Sequence, residues 1–204
     1  MSAELGPVTL AGRFVLLEPL QPSHRDDLLR AGSDPQIWTH LKNYPRTAND
    51  MAEWINDLLA RQDQGQLCPF VVRWREDGVV IGATRYTEIV PRYRRAEIGG
   101  TWLAPEFWGG PANLEAKYLM LRHAFEDWSA IRIQITTDER NARSQRAITK
   151  VGFVFEGFLR NHYIRRDGSY RGSMMYSVIA SEWPVVRADI EARLDAFTAR
   201  SVTP

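Results

Sequence analysis

Asp-Gly stands twice between strand-like runs, at Asp77-Gly78 and at Asp167-Gly168, and this dipeptide is a strong local signal for a hairpin. The first pair separates "CPFVVRWRE" from "VVIGATRYTEIV", and the second separates "FVFEGFLRNHYIRR" from "YRGSMMYSVI". Both residues of each pair favour positive φ, which suits a tight turn. Between the hairpins the pattern runs strand, helix, strand, helix: "RAEIGGTWLA", then "NLEAKYLMLRHAFEDW", then "IRIQITT", then "ARSQRAITKVG". Two hairpins around such a middle exclude an all-helical bundle and an all-β sandwich.

The flanks fit the same account. "VTLAGRFVLLEPL" reads as one or two strands split at Gly12, and "SHRDDLLRAG" as a short helix capped by Ser23 and stopped by Gly32. "TANDMAEWINDLLARQDQG" has helical spacing in Met51, Trp54, Ile55, Leu58 and Leu59 and ends at Gly65. An amphipathic helix over about 182–198 closes the chain. No internal repeat and no linker rich in Pro, Gly or Ser interrupts the pattern, so we expect a single mixed α/β domain over residues 1–204.

Composition narrows the function. With 26 basic and 25 acidic residues the formal net charge is +1, which provides no field for nucleic acid or an anionic membrane. Lysine occurs only at Lys42, Lys117 and Lys150. Cys68 is the only cysteine, so there is no disulfide framework and a cytoplasmic setting is expected. The N-terminus lacks a signal-peptide pattern, and nowhere do about 18 uncharged apolar residues run together. His24, His40, His123 and His162 show no metal-ligand spacing, so no metal is expected.

Two stretches carry candidate chemistry. "FWGGPANLEAK" puts glycines at a helix start, where four backbone N–H groups lack intrahelical partners and the helix dipole favours an anion. It is neither G-x-G-x-x-G nor a phosphate loop ending in Gly-Lys-Ser/Thr, and an ordinary tight loop is the competing reading. In "NARSQRAITKVG", positions 141, 144, 147, 148 and 151 share one helix face, setting Asn141 and Ser144 on an otherwise apolar stripe. The plain alternative is that Asn141 caps the helix and Ser144 bonds back to a carbonyl. Glu97 is a candidate base, with an ion pair to Arg94 or Arg95 as its alternative. His162 and Tyr163 are candidates for an acceptor pocket or for solvated hairpin residues, and "RYRR" at 92–95 reads as a solvated loop.

Together, a glycine loop after an "EIG" strand and an N-x-x-S-x-x-A-x-x-K-x-G-F helix about 30 residues later resemble the GNAT acetyltransferases. The resemblance is to the branch containing the ribosomal-protein N-terminal acetyltransferases. It spans nearly the whole chain, through "LAGRFVLLEPLQPSH", "EIGGTWLAPEFW" with "NLEAK", "TTDERNARSQRAITKVGFVFEGFLRNH" and "DGSYRGSMMYSVIASEW". It implies a mixed, largely antiparallel central sheet splayed between the "AEIGGTWL" and "IRIQITT" strands, with the pantetheine arm of acetyl-CoA in the gap. The pyrophosphate would lie on Trp108, Gly109, Gly110, Pro111, Ala112 and Asn113. Asn141 would touch the pantetheine, and backbone amides around Trp102 and Leu103 would orient the thioester carbonyl. Pro111 stands where many members have glycine, and Ile148 where other members have a tyrosine acid. In the branch resembled, the serine matching Ser144 is the usual candidate for protonating the thiolate.

The resemblance implies acetyl transfer to a primary amine, a protein N-terminus or a small molecule, with no nucleic acid or membrane partner. A homodimer is open. A non-catalytic acyl-CoA-binding or sensor protein is the alternative that Ile148 and Pro111 motivate.

Overall fold

In the computed structural model, which describes residues 5–201, two short strands open the chain, β1 (Leu10–Ala11) and β2 (Val15–Pro19). Two helices follow, α1 (Arg25–Ala31) and α2 (Ala48–Asp63), and then the meander β3 (Leu67–Trp74), β4 (Val80–Val90) and β5 (Arg95–Leu103). Next come α3 (Pro111–Arg122), β6 (Arg132–Asp138) and α4 (Ala142–Val151). The hairpin β7 (Val154–Ile164) and β8 (Tyr170–Ile179) leads into α5 (Trp183–Ser201). Residues 1–4 and 202–204, the ends of the expected single-domain span, lie outside the described residues, as does the start of the N-terminal stretch read for a signal peptide.

The strands form one sheet in the order β1-β2-β3-β4-β5-β6-β8-β7. Every neighbouring pair is antiparallel except β5 and β6. That parallel pair has a physical reason: the chain leaves β5, runs back along α3 and re-enters the sheet, the crossover that parallel strands require. Apolar residues cover both faces of the sheet. Leu28, Trp38, Met51 and Ile55 from the α1–α2 side pack on Val71, Val80, Ala83 and Trp102. On the other face Leu119 and Met120 of α3, Ile148 and Val151 of α4, and Ile190 and Leu194 of α5 cover Phe70, Ile98, Ile133 and Val178.

Local chemistry matches the sequence reading in most places and corrects it in three. Both Asp-Gly pairs do turn hairpins, but only Gly78 (φ 74°) and Gly168 (φ 81°) take positive φ. The aspartates instead accept backbone N–H bonds from Val79 and Ser169, two residues on, as Asx turns do. Ser23 does not cap α1. It lies inside a one-turn 3-10 helix, Pro22–His24, that Gln21 and His24 cap reciprocally. The helix expected over 113–128 begins at Pro111 and gives way after Arg122 to a π-helical turn, His123–Asp127. Just before the change the Tyr86 hydroxyl donates to the Met120 carbonyl at 2.5 Å, and such side-chain insertions loosen a helical ladder.

Candidate active site

The sheet opens where β5 meets β6. Only Arg95, Ala96 and Glu97 pair with Arg132, Ile133 and Gln134, and residues 98–103 of β5 and 135–138 of β6 run on without each other. Because the strands are parallel, the opening faces their C-terminal ends, where α3 and α4 begin. Ligands of open sheets collect at such ends, where helix N-termini supply unpaired donors.

The first of those termini is bare. Gly110 is the N-cap of α3, no side chain caps it, and no acidic residue lies in the first turn. Gly109 holds φ at 79°, a conformation that suits glycine. Pro111 occupies the first helical position, where its missing N–H costs nothing. Ala112 is buried in the core and Asn113 half-buried, so their backbone amides are what the loop can offer. Trp108 donates its indole N–H to the Leu103 carbonyl at 2.8 Å, tying the loop to the end of β5. Across the opening Arg143 of α4 stacks on the Trp108 ring, 3.5 Å from its centroid.

The second terminus is capped. Asn141 Oδ1 accepts the Ser144 N–H at 3.0 Å, the capping role weighed from sequence, which leaves the Asn141 amide nitrogen free. Among the described residues the Ser144 hydroxyl makes no hydrogen bond, so the bond back to a carbonyl does not form. Asn141, Ser144 and Ala147 are half-buried, while Ile148 and Val151 are buried, as the helical face requires. Trp102 and Leu103 turn their side chains into the core, so only their backbone can face the opening.

Glu97 sits at the last rung of the β5–β6 seam, 7% exposed. Its carboxylate accepts from Thr136 Oγ1 at 2.8 Å and from Gln134 Nε2 at 3.1 Å, both from β6. The alternative pairing with Arg94 or Arg95 does not form among the described residues: Arg94 is exposed at the end of the Pro91–Tyr93 turn, in the left-handed region, and Arg95, read with 92–94 as a solvated loop, is instead the half-buried first residue of β5, held there by pairing with Arg132. Burial first, then the charges of Glu97 and Glu88, against the opposing charge of Arg171, raises the Tyr163 phenol above its ordinary pKa. His162 lies against it, with ring centroids 4.1 Å apart. His162 also lines an open depression of about 860 Å³ on the hairpin beside Phe158 and Tyr170. Among the described residues no cluster of His, Cys, Asp or Glu could hold a metal ion, and no helix is long and apolar enough to cross a membrane.

Sequence reasoning did not single out Lys117. The residue is 5% exposed, has no carboxylate partner among the described residues, and its ammonium donates to Thr101 Oγ1 at 2.5 Å at the point where β5 bulges. Thr101 in turn shares a 2.8 Å hydrogen bond with Thr84. Burial lowers the Lys117 pKa to about 7, against 10.5 ordinarily. Between those values the unfolded chain holds a proton that the folded one has released, so stability rises with pH across the window by up to roughly 1.4 kcal/mol per unit. Below pH 7 the penalty is present in full. Lys117→Met should flatten this rise and stabilise the protein most at pH 6–7, as read by denaturant unfolding at several pH values. An unchanged slope would show that Lys117 is ionised throughout.

These features have counterparts among known proteins. An acetyltransferase (GNAT) domain model matches residues 15–154, well over half of the chain. The chain belongs to the GNAT acetyltransferase family. The uncharacterized N-acetyltransferase p20 of Bacillus licheniformis is 28% identical over 179 residues, 86% of this chain and 98% of that one. A GCN5-related N-acetyltransferase from Brucella melitensis superposes with a TM-score of 0.86 at 29% identity, covering 94% of this chain and 86% of the other. RimJ of Mycobacterium smegmatis, solved with CoA-disulfide, shares the fold with a TM-score of 0.79 at 24% identity, over 92% and 95% of the two chains. GNAT acetyltransferases use acetyl-CoA, and the sheet order here, opened at a single parallel pair, is the GNAT sheet.

The glycine loop, Trp102 and Leu103 stand at the C-terminal end of β5, Asn141 and Ser144 at the start of α4 after β6, and Glu97 at the last paired rung of the seam. His162 and Tyr163 belong to the hairpin that borders the cleft beyond β6.

Proposed function

We propose that this GNAT protein transfers acetyl from acetyl-CoA directly to a primary amine in a ternary complex. The observation that carries the reading is the three-rung seam opening between two helix starts, one of them uncapped. Acetyl-CoA supplies an acyl thioester. The amides of Gly110, Ala112 and Asn113 would hold its pyrophosphate, with Arg143 as the neighbouring cation, and the free amide nitrogen of Asn141 would meet the pantetheine. Backbone N–H groups around Trp102 and Leu103 would orient the carbonyl. Glu97, aimed by Thr136 and Gln134, takes a proton from the incoming amine, and the unpartnered Ser144 hydroxyl protonates the departing thiolate. An α-amine, with a pKa near 8, surrenders its proton to Glu97 more readily than lysine, near 10.4, which favours protein N-termini and amino-acid-like acceptors. Screening amines and N-terminal peptides for acetyl-CoA-dependent thiol release tests the reading.

A second reading follows from Ile148, which is 5% exposed and packed in the core where other GNAT enzymes place a tyrosine. A protein that binds acyl-CoA and releases no thiol with any amine would be a sensor.

Gly110→Asp tests the loop directly. A Cβ there meets only the Phe107 carbonyl, at 3.8 Å, and aspartate is a good N-cap, so the variant should fold. Its carboxylate would occupy the amides and repel a pyrophosphate, weakening acetyl-CoA binding by about 2 kcal/mol, roughly 30-fold in Kd. Calorimetric titration reads the change, and parental affinity in a folded variant would place the cofactor elsewhere.

A further inference from the structure

Arg85 is a half-buried cation that no carboxylate pairs with directly among the described residues. It projects from β4 opposite Gly99, and among the described residues it makes no hydrogen bond or ion pair; its Nε is buried without a partner. Its guanidinium rests on the backbone of the β5 bulge. A Cβ on Gly100 would stand 2.4 Å from Arg85 Cζ and Nη1, and Gly100 itself takes φ 56°. Burial, the nearby charge of Arg61, and then the opposing charges of Asp57 and Glu97 leave the guanidinium pKa below its ordinary value, the mark of a cation whose surroundings do not compensate it.

Register places this cation beside the proposed base. Directly opposed residues of an antiparallel pair point to one face, so Arg85 shares the face of Gly99. Gly99 lies two residues from Glu97 and therefore shares its face as well. Arg85 and Glu97 are diagonal neighbours, roughly 7–8 Å apart at the backbone. The floor between them is glycine: a Cβ on Gly99 would come 3.5 Å from Glu97 Oε1 and 3.3 Å from the Thr87 methyl. The result is a notch with a carboxylate at one side, an unpaired guanidinium at the other, and a floor of Gly99 and the Thr87 side chain between.

We propose that this notch selects acceptors that carry a carboxylate close to the reacting amine, with the amine toward Glu97 and the carboxylate on Arg85. The assignment rests on the acetyltransfer reading for the amine's fate, and on the notch alone for binding. A guanidinium forks onto a carboxylate with two charge-assisted hydrogen bonds, whereas a carboxamide accepts more weakly and brings no compensating charge. The carboxylate can be the α-carboxylate of a free amino acid or the side chain of an acidic N-terminal residue. Paired probes separate these sources: free amino acids against their amides, and the tripeptide amides Asp-Ala-Ala and Glu-Ala-Ala against Asn-Ala-Ala and Gln-Ala-Ala.

Binding of each probe to the CoA-saturated wild-type protein is measured by calorimetry, and turnover by thiol release. At least one pair should favour its acidic member by tenfold or more, and the preferred pair names the source. Arg85→Met should lose that discrimination and Arg85→Lys should keep part of it. Equal binding within every pair in the wild-type protein overturns the proposal without any variant, as does an Arg85→Met protein that keeps the wild-type ratio. Binding with discrimination but without turnover would count against acetyl transfer while upholding the notch.

Discussion

A Glu115→Ala protein should unfold about 3–5 kcal/mol more easily than the parent, enough to lower the melting temperature by roughly 10 °C in a chain of this size. Glu115 projects from the second turn of α3 and is 2% exposed. Its carboxylate accepts three backbone N–H bonds from the β1–β2 turn, from Arg13 and Val15 at 2.7 Å and from Phe14 at 2.6 Å. Gly12 makes room for it, since a Cβ there would stand 2.4 Å from the carboxylate carbon. Alanine would strand three donors and leave a void. Because these bonds fix α3, whose first turn carries the glycine loop, acetyl-CoA affinity should fall along with stability. A melting temperature within about 2 °C of the parent would show that the turn finds other partners.

Glu97→Gln should lower kcat/KM by about 10²- to 10³-fold at pH 6–7, the range of a positioned proton acceptor. The loss should shrink as pH approaches the pKa of the amine, where more acceptor is already neutral and the base is needed less. Glutamine keeps the size of the side chain, but its NH₂ must face either Thr136 or Gln134, both of which donate to Glu97. Glu97→Asp therefore serves as the control that keeps the charge and shortens the reach. A Glu97→Gln enzyme with the parental pH–rate profile would leave Glu97 as the strut of the β5–β6 seam.

What could be read from the sequence is what local chemistry decides. The Asp-Gly turns, the helix start after the glycines and the Asn141 cap each depend on residues within a few positions; the turns stand where expected, the cap is one of the two readings weighed, and the helix begins two residues earlier than read, at Pro111. For Glu97 the sequence offered only neighbours, Arg94 and Arg95, as alternative partners to a role as base. Its actual partners lie 37 and 39 residues away on a strand whose register no pattern reveals. Arg85, Lys117 and Glu115 escaped for the same reason. Their surroundings are built by β4 against β5, by α3 against the bulge, and by α3 against a turn about 100 residues earlier. Periodicity marks Lys117 and Glu115 as helical, and only tertiary packing shows them to be buried.

The three-rung seam also makes the molecule a hinge. One leaf holds β1 to β5 and the other β6, β8 and β7, and among the described residues the strands pair across the seam only at Arg95–Glu97, with one further backbone bond from the Ile131 N–H to the Arg94 carbonyl at 2.9 Å. Contacts outside the sheet hold their relative angle: Arg166 in the β7–β8 turn donates to the Trp38 carbonyl at 2.8 Å on one face, and behind the other α3, which leaves the first leaf, is clasped to α5, which leaves the second. Tyr118 donates to Glu191 at 2.6 Å and its ring packs on Trp183, which also stacks on Phe125. The last helix of the chain thus acts as a spring clip, and the width of the gap between the leaves is a property of the C-terminus as much as of the residues that line it.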